Sequence, residues 1–277
     1  MIADNFKYDG KLASDFGLMI CNIGGGGGDE TISAGSDINF NQTPIRHGGL
    51  FLNTDTTYDN PMEATFQVCK FDCSDSSVQI LSLDEKRKIA RWLQRKEPHM
   101  LELINTDNED TSRYVFEGMF NLSEIYSCGD CIGYELRFTS NRPYAISKTI
   151  TKTIIATTSD FEYKFNDTSD EVGYLYPRKM TIIPSENGDI SIRNYVENPE
   201  GRLTQIKNCI AGETITFSDM LTINTDNSSH TKTLQDDFNF CFFRIANSYT
   251  NRTNRIVVSS PCTIKIEYNP IVKGVGL

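Results

Sequence analysis

Eight cysteines stand at positions 21, 69, 73, 128, 131, 209, 241 and 262, and four of them are spaced for chemistry. Cys69-x-x-x-Cys73 and Cys128-x-x-Cys131 are close pairs of the kind that complete a four-thiolate zinc site, where soft sulfur ligands suit a tetrahedral ion. Gly129 lies inside the second pair, as a metal-binding knuckle requires. Cys69, however, falls in the strand-like run MEATFQVCKF, where successive side chains point to opposite faces and Cys73 need not converge on it. Buried free thiols are therefore the favoured reading, with structural zinc on Cys69, Cys73, Cys128 and Cys131 as the weaker one.

Other reactive groups are sparse. The histidines are His47, His99 and His230, and none accompanies a Gly-x-Ser-x-Gly elbow or forms a His-Glu-x-x-His pair. Gly24 to Gly28 is an unbroken glycine run, but no Lys-Ser or Lys-Thr follows it, so it reads as a mobile loop and not as a phosphate cradle. Asp107, Glu109 and Asp110 lack the glycine and closing glutamate of a calcium loop. Paired carboxylates for glycoside cleavage have no linear signature. The expectation is a protein that is not an enzyme and needs no cofactor.

The elements that would position these groups are mostly strands. Asp9-Gly10 between Tyr8 and Leu12 supplies the positive backbone dihedrals of a two-residue hairpin, placing a short strand on either side. MLELI at 100–104 and RYVFEGMF at 113–120 read as a second hairpin with a long tip at 105–112. One helix is predicted, over 83–96. Ser82 is its N-cap, Glu85 completes a capping box, and Arg95 and Lys96 suit the negative end of its dipole. Ile89, Trp92 and Leu93 form its apolar stripe, and Pro98 stops it. Trp92, the single tryptophan, reads as a core or subunit-interface anchor.

A stretch rich in Thr, Ser and Asp from 146 to 173 marks a junction at about 145–160. Eight short alternating runs follow it: MTIIP, GDISIRNY, LTQI, ETITF, MLTI, FNFCFF, RIVV and CTIKIEY. Their close spacing predicts a β-sandwich.

Composition narrows the partners. The 277 residues carry a formal charge of −10, with 14 Lys/Arg against 22 Asp/Glu in residues 1–150 and 13 against 15 in the remainder. Such an acidic chain is not expected to bind nucleic acid, which calls for clustered cations. The local run Lys86, Arg87, Lys88, Arg91, Arg95 and Lys96 reads as a solvated helix face. No apolar run approaches the roughly 20 residues needed to cross a bilayer. No targeting segment precedes the first hairpin, so synthesis in a reducing cytosol and free thiols are expected.

Three stretches carry a family resemblance. FKYDGKLASDFGLMI at the start, FEGMFNLSEI with GYELRFTSNRPYA in the middle, and FNFCFFRIANSYTNRTNRIVVSSPCTIKIEYNPIVKGV near the end bracket residues 6 to about 275. Together they resemble the distal tail proteins of tailed bacteriophages and related prophage particles. The resemblance implies a mainly β protein: an N-terminal β-barrel or sandwich domain at 1–148 with the helix beside it, then a galectin-like β-sandwich at 149–277. It implies a homohexameric ring at the virion tail tip, made in the bacterial host cytoplasm. Such a ring joins the tail tube protein to a tail-tip lysin-like protein and to receptor-binding proteins, although this chain lacks a long C-terminal insertion to hold the last. Phe6, Tyr8, Phe16, Gly17 and Trp92 are the expected subunit-interface residues. The alternative is a carbohydrate-binding adhesion module, with Tyr195 and Tyr249 as expected glycan contacts.

Overall fold

The computed structural model describes residues 3–21, 36–44, 51–58, 61–70, 80–104 and 114–274, with backbone alone at 42–44 and 51–55. Gly24 to Gly28, His47, Cys73 and the 105–112 tip lie outside the described residues. The chain divides into two compact units, Met1–Ile146 with Val272–Leu277, and Ser147–Ile271. The second is thus an insertion in the first, whose chain resumes at Val272.

The first unit contains β1 (Asn5–Tyr8), β2 (Lys11–Leu12), β3 (Leu18–Cys21), β4 (Ile38–Pro44), β5 (Phe51–Tyr58), β6 (Glu63–Lys70), α1 (Leu83–Leu93), β7 (His99–Ile104), β8 (Tyr114–Ser127), β9 (Asp130–Ser140) and β10 (Ala145–Ser147). Its main sheet runs β2-β1-β7-β8-β9-β6-β3. The path is open, so of the barrel and sandwich alternatives no closed barrel forms among the described residues. Asp9 and Gly10 have φ of 50° and 76°, the doubly left-handed turn that Asp-Gly was expected to give. Because β1 pairs with β7 as well as β2, this hairpin is built into its own sheet.

α1 begins as expected. The Ser82 amide donates to Glu85 Oε2 at 2.8 Å, and Ser82 Oγ accepts from the Glu85 amide at 3.3 Å. It ends three residues earlier than the basic residues suggested: Gln94, at φ −80° and ψ 82°, leaves the helix. Arg95 lies beyond the last turn and turns back, its Nε donating to the Trp92 carbonyl at 3.2 Å. A cation can satisfy a terminal carbonyl from outside the helix, which is why Arg95 and Lys96 misplace the boundary.

The second unit contains β11 (Ile150–Ala156), β12 (Phe161–Asn166), β13 (Gly173–Leu175), β14 (Lys179–Pro184), β15 (Gly188–Asn194), β16 (Arg202–Cys209), β17 (Ile215–Ser218), β18 (Ile223–Thr225), the one-turn α2 (Leu234–Asp237), β19 (Ile245–Asn247), β20 (Thr253–Val258) and β21 (Cys262–Tyr268); β22 (Ile271–Val272) follows. A five-stranded sheet ordered β11-β21-β14-β17-β18 accompanies a four-stranded one ordered β12-β20-β15-β16. Alternation fills the space between them: Ile154, Ile182, Ile215, Ile264 and Ile266 from one sheet share a core with Ile190, Ile192, Ile206, Ile256 and Val258 from the other.

Two readings are corrected here. The predicted junction at 145–160 does contain the boundary between the units, after Ile146, but the Thr-rich stretch beyond it holds β11 and β12, because alternating Ile and Thr in ITKTIIA suit a half-buried strand. Conversely FNFCFF is not a strand. Only Phe238 bridges Ile206, Phe240 sits at φ 54°, and the Asn239 side chain makes the bonds a ladder would have made, to the Leu203 carbonyl at 2.9 Å and the Gln205 amide at 3.2 Å.

Candidate assembly surface

The first unit is organised around its tryptophan. Trp92 projects from the inner face of α1 and is 2% exposed, with Phe16 stacked on it at 4.2 Å between centroids and 4° between planes. Phe6 stacks parallel to Trp92 at 5.5 Å. Trp92 Nε1 donates to the Tyr8 carbonyl at 2.9 Å, and the Tyr8 hydroxyl donates to the Gly118 carbonyl at 3.1 Å. Burial pushes the Tyr8 phenol up to about 12, since an ionised oxygen there would lose its hydration. Gly118 is required, because a Cβ would overlap the Thr139 carbonyl oxygen.

These contacts decide where the expected interface residues stand. Phe6 and Tyr8 have no exposed surface, and with Trp92 their side chains are consumed by the chain's own core. Phe16 and Gly17 remain half-buried at its rim, Gly17 in the left-handed region at φ 68°. The sequence reading left Trp92 as a core or subunit-interface anchor and placed Phe6 and Tyr8 at the interface, whereas all three side chains are buried in the chain's own core.

The surface left unsatisfied lies elsewhere. Among the described residues β4 and β5 pair only with each other, and a two-stranded ribbon is marginal in water on its own. Its β4 strand holds Ile38 and Phe40 53% and 58% exposed, two residues apart and so on one face. The base is anchored by the Ser36 amide on the Pro143 carbonyl at 3.4 Å and by an edge contact of Tyr58 with Tyr144. Sequence reasoning passed over this ribbon because Asn and Thr outnumber apolar residues along it.

The helix offers the second surface. Lys70 and Glu85 pair at 2.8 Å, and that hydrogen bond with those from Ser82 holds the Glu85 carboxyl down at about 2. Lys86 pairs with Glu124 at 2.8 Å, and Arg95 with Asp9 at 3.3 Å. Arg87, Lys88, Arg91 and Lys96 are exposed with no carboxylate within reach among the described residues.

Of the proposed zinc ligands, Cys73 lies outside the described residues. Cys128, Cys131, Cys209, Cys241 and Cys262 carry free thiols, and no cluster of three or more metal-ligating side chains occurs among the described residues. Cys128 and Gly129, at φ 52° and 95°, form the tight turn between β8 and β9, so the glycine serves a hairpin. Cys128 is exposed, while Cys131 is buried with its thiol raised by desolvation and donating to the Gly133 carbonyl at 3.6 Å. Cys69 lies in β6 opposite Gly133.

In the second unit the expected glycan contacts are separate in kind. Tyr195 has its ring beneath the Arg255 guanidinium at 4.8 Å, whereas Tyr249 is 89% exposed. A buried polar clasp was not expected. His230 Nδ1 lies 2.8 and 2.9 Å from the two Glu213 oxygens, and Glu213 also accepts from the Ile210 amide and the Thr225 hydroxyl. His230 Nε2 faces Asp237 Oδ2 at 3.7 Å, neither having another partner. No spacing rule could have paired residues 213 and 230.

Comparison with known proteins follows the same division. A family model described as a phage tail protein N-terminal domain matches residues 1–142, and one described as a phage tail C-terminal domain matches residues 144–268. Among solved structures the fold is similar to that of the Dit protein of phage SPP1, described as a paradigm of the hub adsorption apparatus in phages infecting Gram-positive hosts. That likeness has a TM-score of 0.60 at 13% identity and covers 96% of this chain and 98% of that one. No curated protein matches the chain.

Proposed function

The chain belongs to the phage tail protein family, and from that premise we propose that it is a structural hub of the tail, a homohexameric ring at the tail tip. In this reading the first unit forms the ring, joining the tail tube protein to a tail-tip lysin-like protein and to receptor-binding proteins, and the second unit is a galectin-like sandwich. The protein is made in the host cytoplasm, carries out no reaction, and binds neither nucleic acid nor membrane.

The observation that carries this reading is the β4–β5 ribbon. A hairpin that pairs with no third strand among the described residues and holds Ile38 and Phe40 facing water gains most by lying on another copy. In a closed ring that contact is heterologous: the ribbon of one subunit covers a different surface on the next, with Phe16 and Gly17 near the seam.

The test is the mass of the purified protein across a concentration series, by native mass spectrometry or light scattering. A six-fold multiple of 31.3 kDa supports the ring. A strict monomer that also fails to join a tail-tip partner removes it. The second reading, a carbohydrate-binding module, rests on Tyr249, whose exposed ring offers a stacking face.

A further inference from the structure

Charge is strongly segregated within the first 146 residues. They hold 13 Lys/Arg and 22 Asp/Glu, yet residues 86–96 contain six of those cations and none of the acids. The rest of the segment therefore carries 7 Lys/Arg against 22 Asp/Glu. Two members of this cluster are neutralised within the chain, Lys86 by Glu124 and Arg95 by Asp9. The middle is not.

Leu83, Arg87 and Arg91 follow one another at intervals of four and so stand in one row of α1, opposite the buried Ile89, Trp92 and Leu93. Leu83 is 71% exposed, an apolar foot beneath two arginines. Lys88 flanks the row, and Asp84, the acid nearest to it in the helix, makes no ion pair with either arginine or with Lys88. A merely solvated face would gain nothing from an exposed leucine. Arginine beside an apolar residue is instead the composition of an interface.

We propose that this row is a contact between copies of the chain, in which the Leu83–Arg87–Arg91 face of one subunit docks on acidic surface of the next. The occupant is identified by charge: a chain of net charge −10 that leaves Arg87, Lys88 and Arg91 of one helix exposed and without an ion pair among the described residues is complementary to itself head to tail. A like-to-like two-fold contact through this face would oppose arginines to arginines. Only a heterologous contact, the kind that closes rings, brings it against acid. The inference rests on the ring reading and adds to the ribbon a second, electrostatic half of the seam.

The experiment follows the mass of the full-length protein at 50, 150 and 500 mM NaCl, for the wild type, for Arg87→Glu/Arg91→Glu, and for Arg87→Lys/Arg91→Lys. Circular dichroism of each variant checks the fold. The wild type is expected to dissociate at concentrations on the order of tenfold higher at 500 mM than at 50 mM, since the screening length shrinks several-fold over that range. The Glu pair should be dissociated at every salt, and the Lys pair should retain the salt dependence with weaker association. A wild type that assembles equally at all three salts, or a folded Glu pair that assembles like the wild type, overturns this contact while leaving the ring intact. A Glu pair that assembles normally but no longer retains heparin or DNA bound by the wild type assigns the row to a polyanion and likewise overturns it. A wild type monomeric at every salt overturns the ring reading first, and this contact with it.

Discussion

The indole nitrogen of Trp92 donates to the backbone carbonyl of Tyr8 at 2.9 Å, and the Tyr8 hydroxyl passes the connection on to Gly118. Helix, first strand and central strand are thereby linked through one side chain of each kind. Trp92→Phe keeps the aromatic stack and removes only the indole donor to the Tyr8 carbonyl. The expected loss is about 2 kcal/mol in unfolding of the first unit, followed by circular dichroism in urea. A change below about 0.5 kcal/mol, the range of neutral surface substitutions, would show that the bond is dispensable.

Ile38→Glu/Phe40→Glu tests the ribbon. Both side chains are exposed, so the isolated subunit should keep its stability to within about 0.5 kcal/mol, whereas association should fall below detection by light scattering. Unchanged association would place the ring contact elsewhere.

The thiols report burial. Desolvation raises Cys209 to about 12 and Cys262 to about 11, and it raises Cys131 as well. Brief alkylation at pH 8 followed by peptide mass mapping should therefore modify exposed Cys128 and spare Cys131, Cys209 and Cys262. Protection of Cys128 equal to that of Cys131, reversed by a chelator, would revive the zinc reading.

The same burial sets an alkaline limit. Tyr8, Tyr134 and Tyr268 are each raised to about 12 and Cys209 likewise, so in every case the folded pKa exceeds the unfolded one. Their stabilising contribution is full below the unfolded values, near 9 for Cys and 10 for Tyr, and is lost as pH climbs through the folded values. The urea midpoint should fall steadily between pH 9 and 12. A flat profile in that window would mean that these groups ionise freely in the folded protein.

His230→Leu tests the clasp. It strips Glu213 of a partner inside the second unit and leaves Asp237 beside an apolar group, for an expected loss of about 3 kcal/mol in that unit's thermal or denaturant transition. Substitution by Asn, which can still donate to Glu213, should recover part of it. Equal stability of the Leu variant and the wild type would mean that the clasp contributes no net stability.

What could be read in advance follows from the range over which each signal acts. Ser82 with Glu85, Asp9 with Gly10, and the alternation of CTIKIEY each fix structure through neighbours a few residues away, and each reappears in the fold. Phe6 and Tyr8 were misread because an aromatic residue looks the same whether its partner is Trp92 of its own chain or another subunit. The ribbon was passed over because Asn and Thr outnumber the apolar residues along both of its strands. Glu213 and His230 meet only because the path from β17 to α2 brings them together. Threonine misled where composition was weighed above alternation, in β11.

The insertion of the second unit has an evolutionary consequence. Its chain leaves through β10 and comes back through β22, and these two strands pair with one another, so exit and re-entry are adjacent. Whatever is spliced between them meets the remaining scaffold at a doorway one strand spacing wide, about 5 Å. A cassette between these strands can be exchanged, enlarged or deleted without re-registering a single strand of the main sheet, so the sequence of the second unit is free to diverge independently of the first.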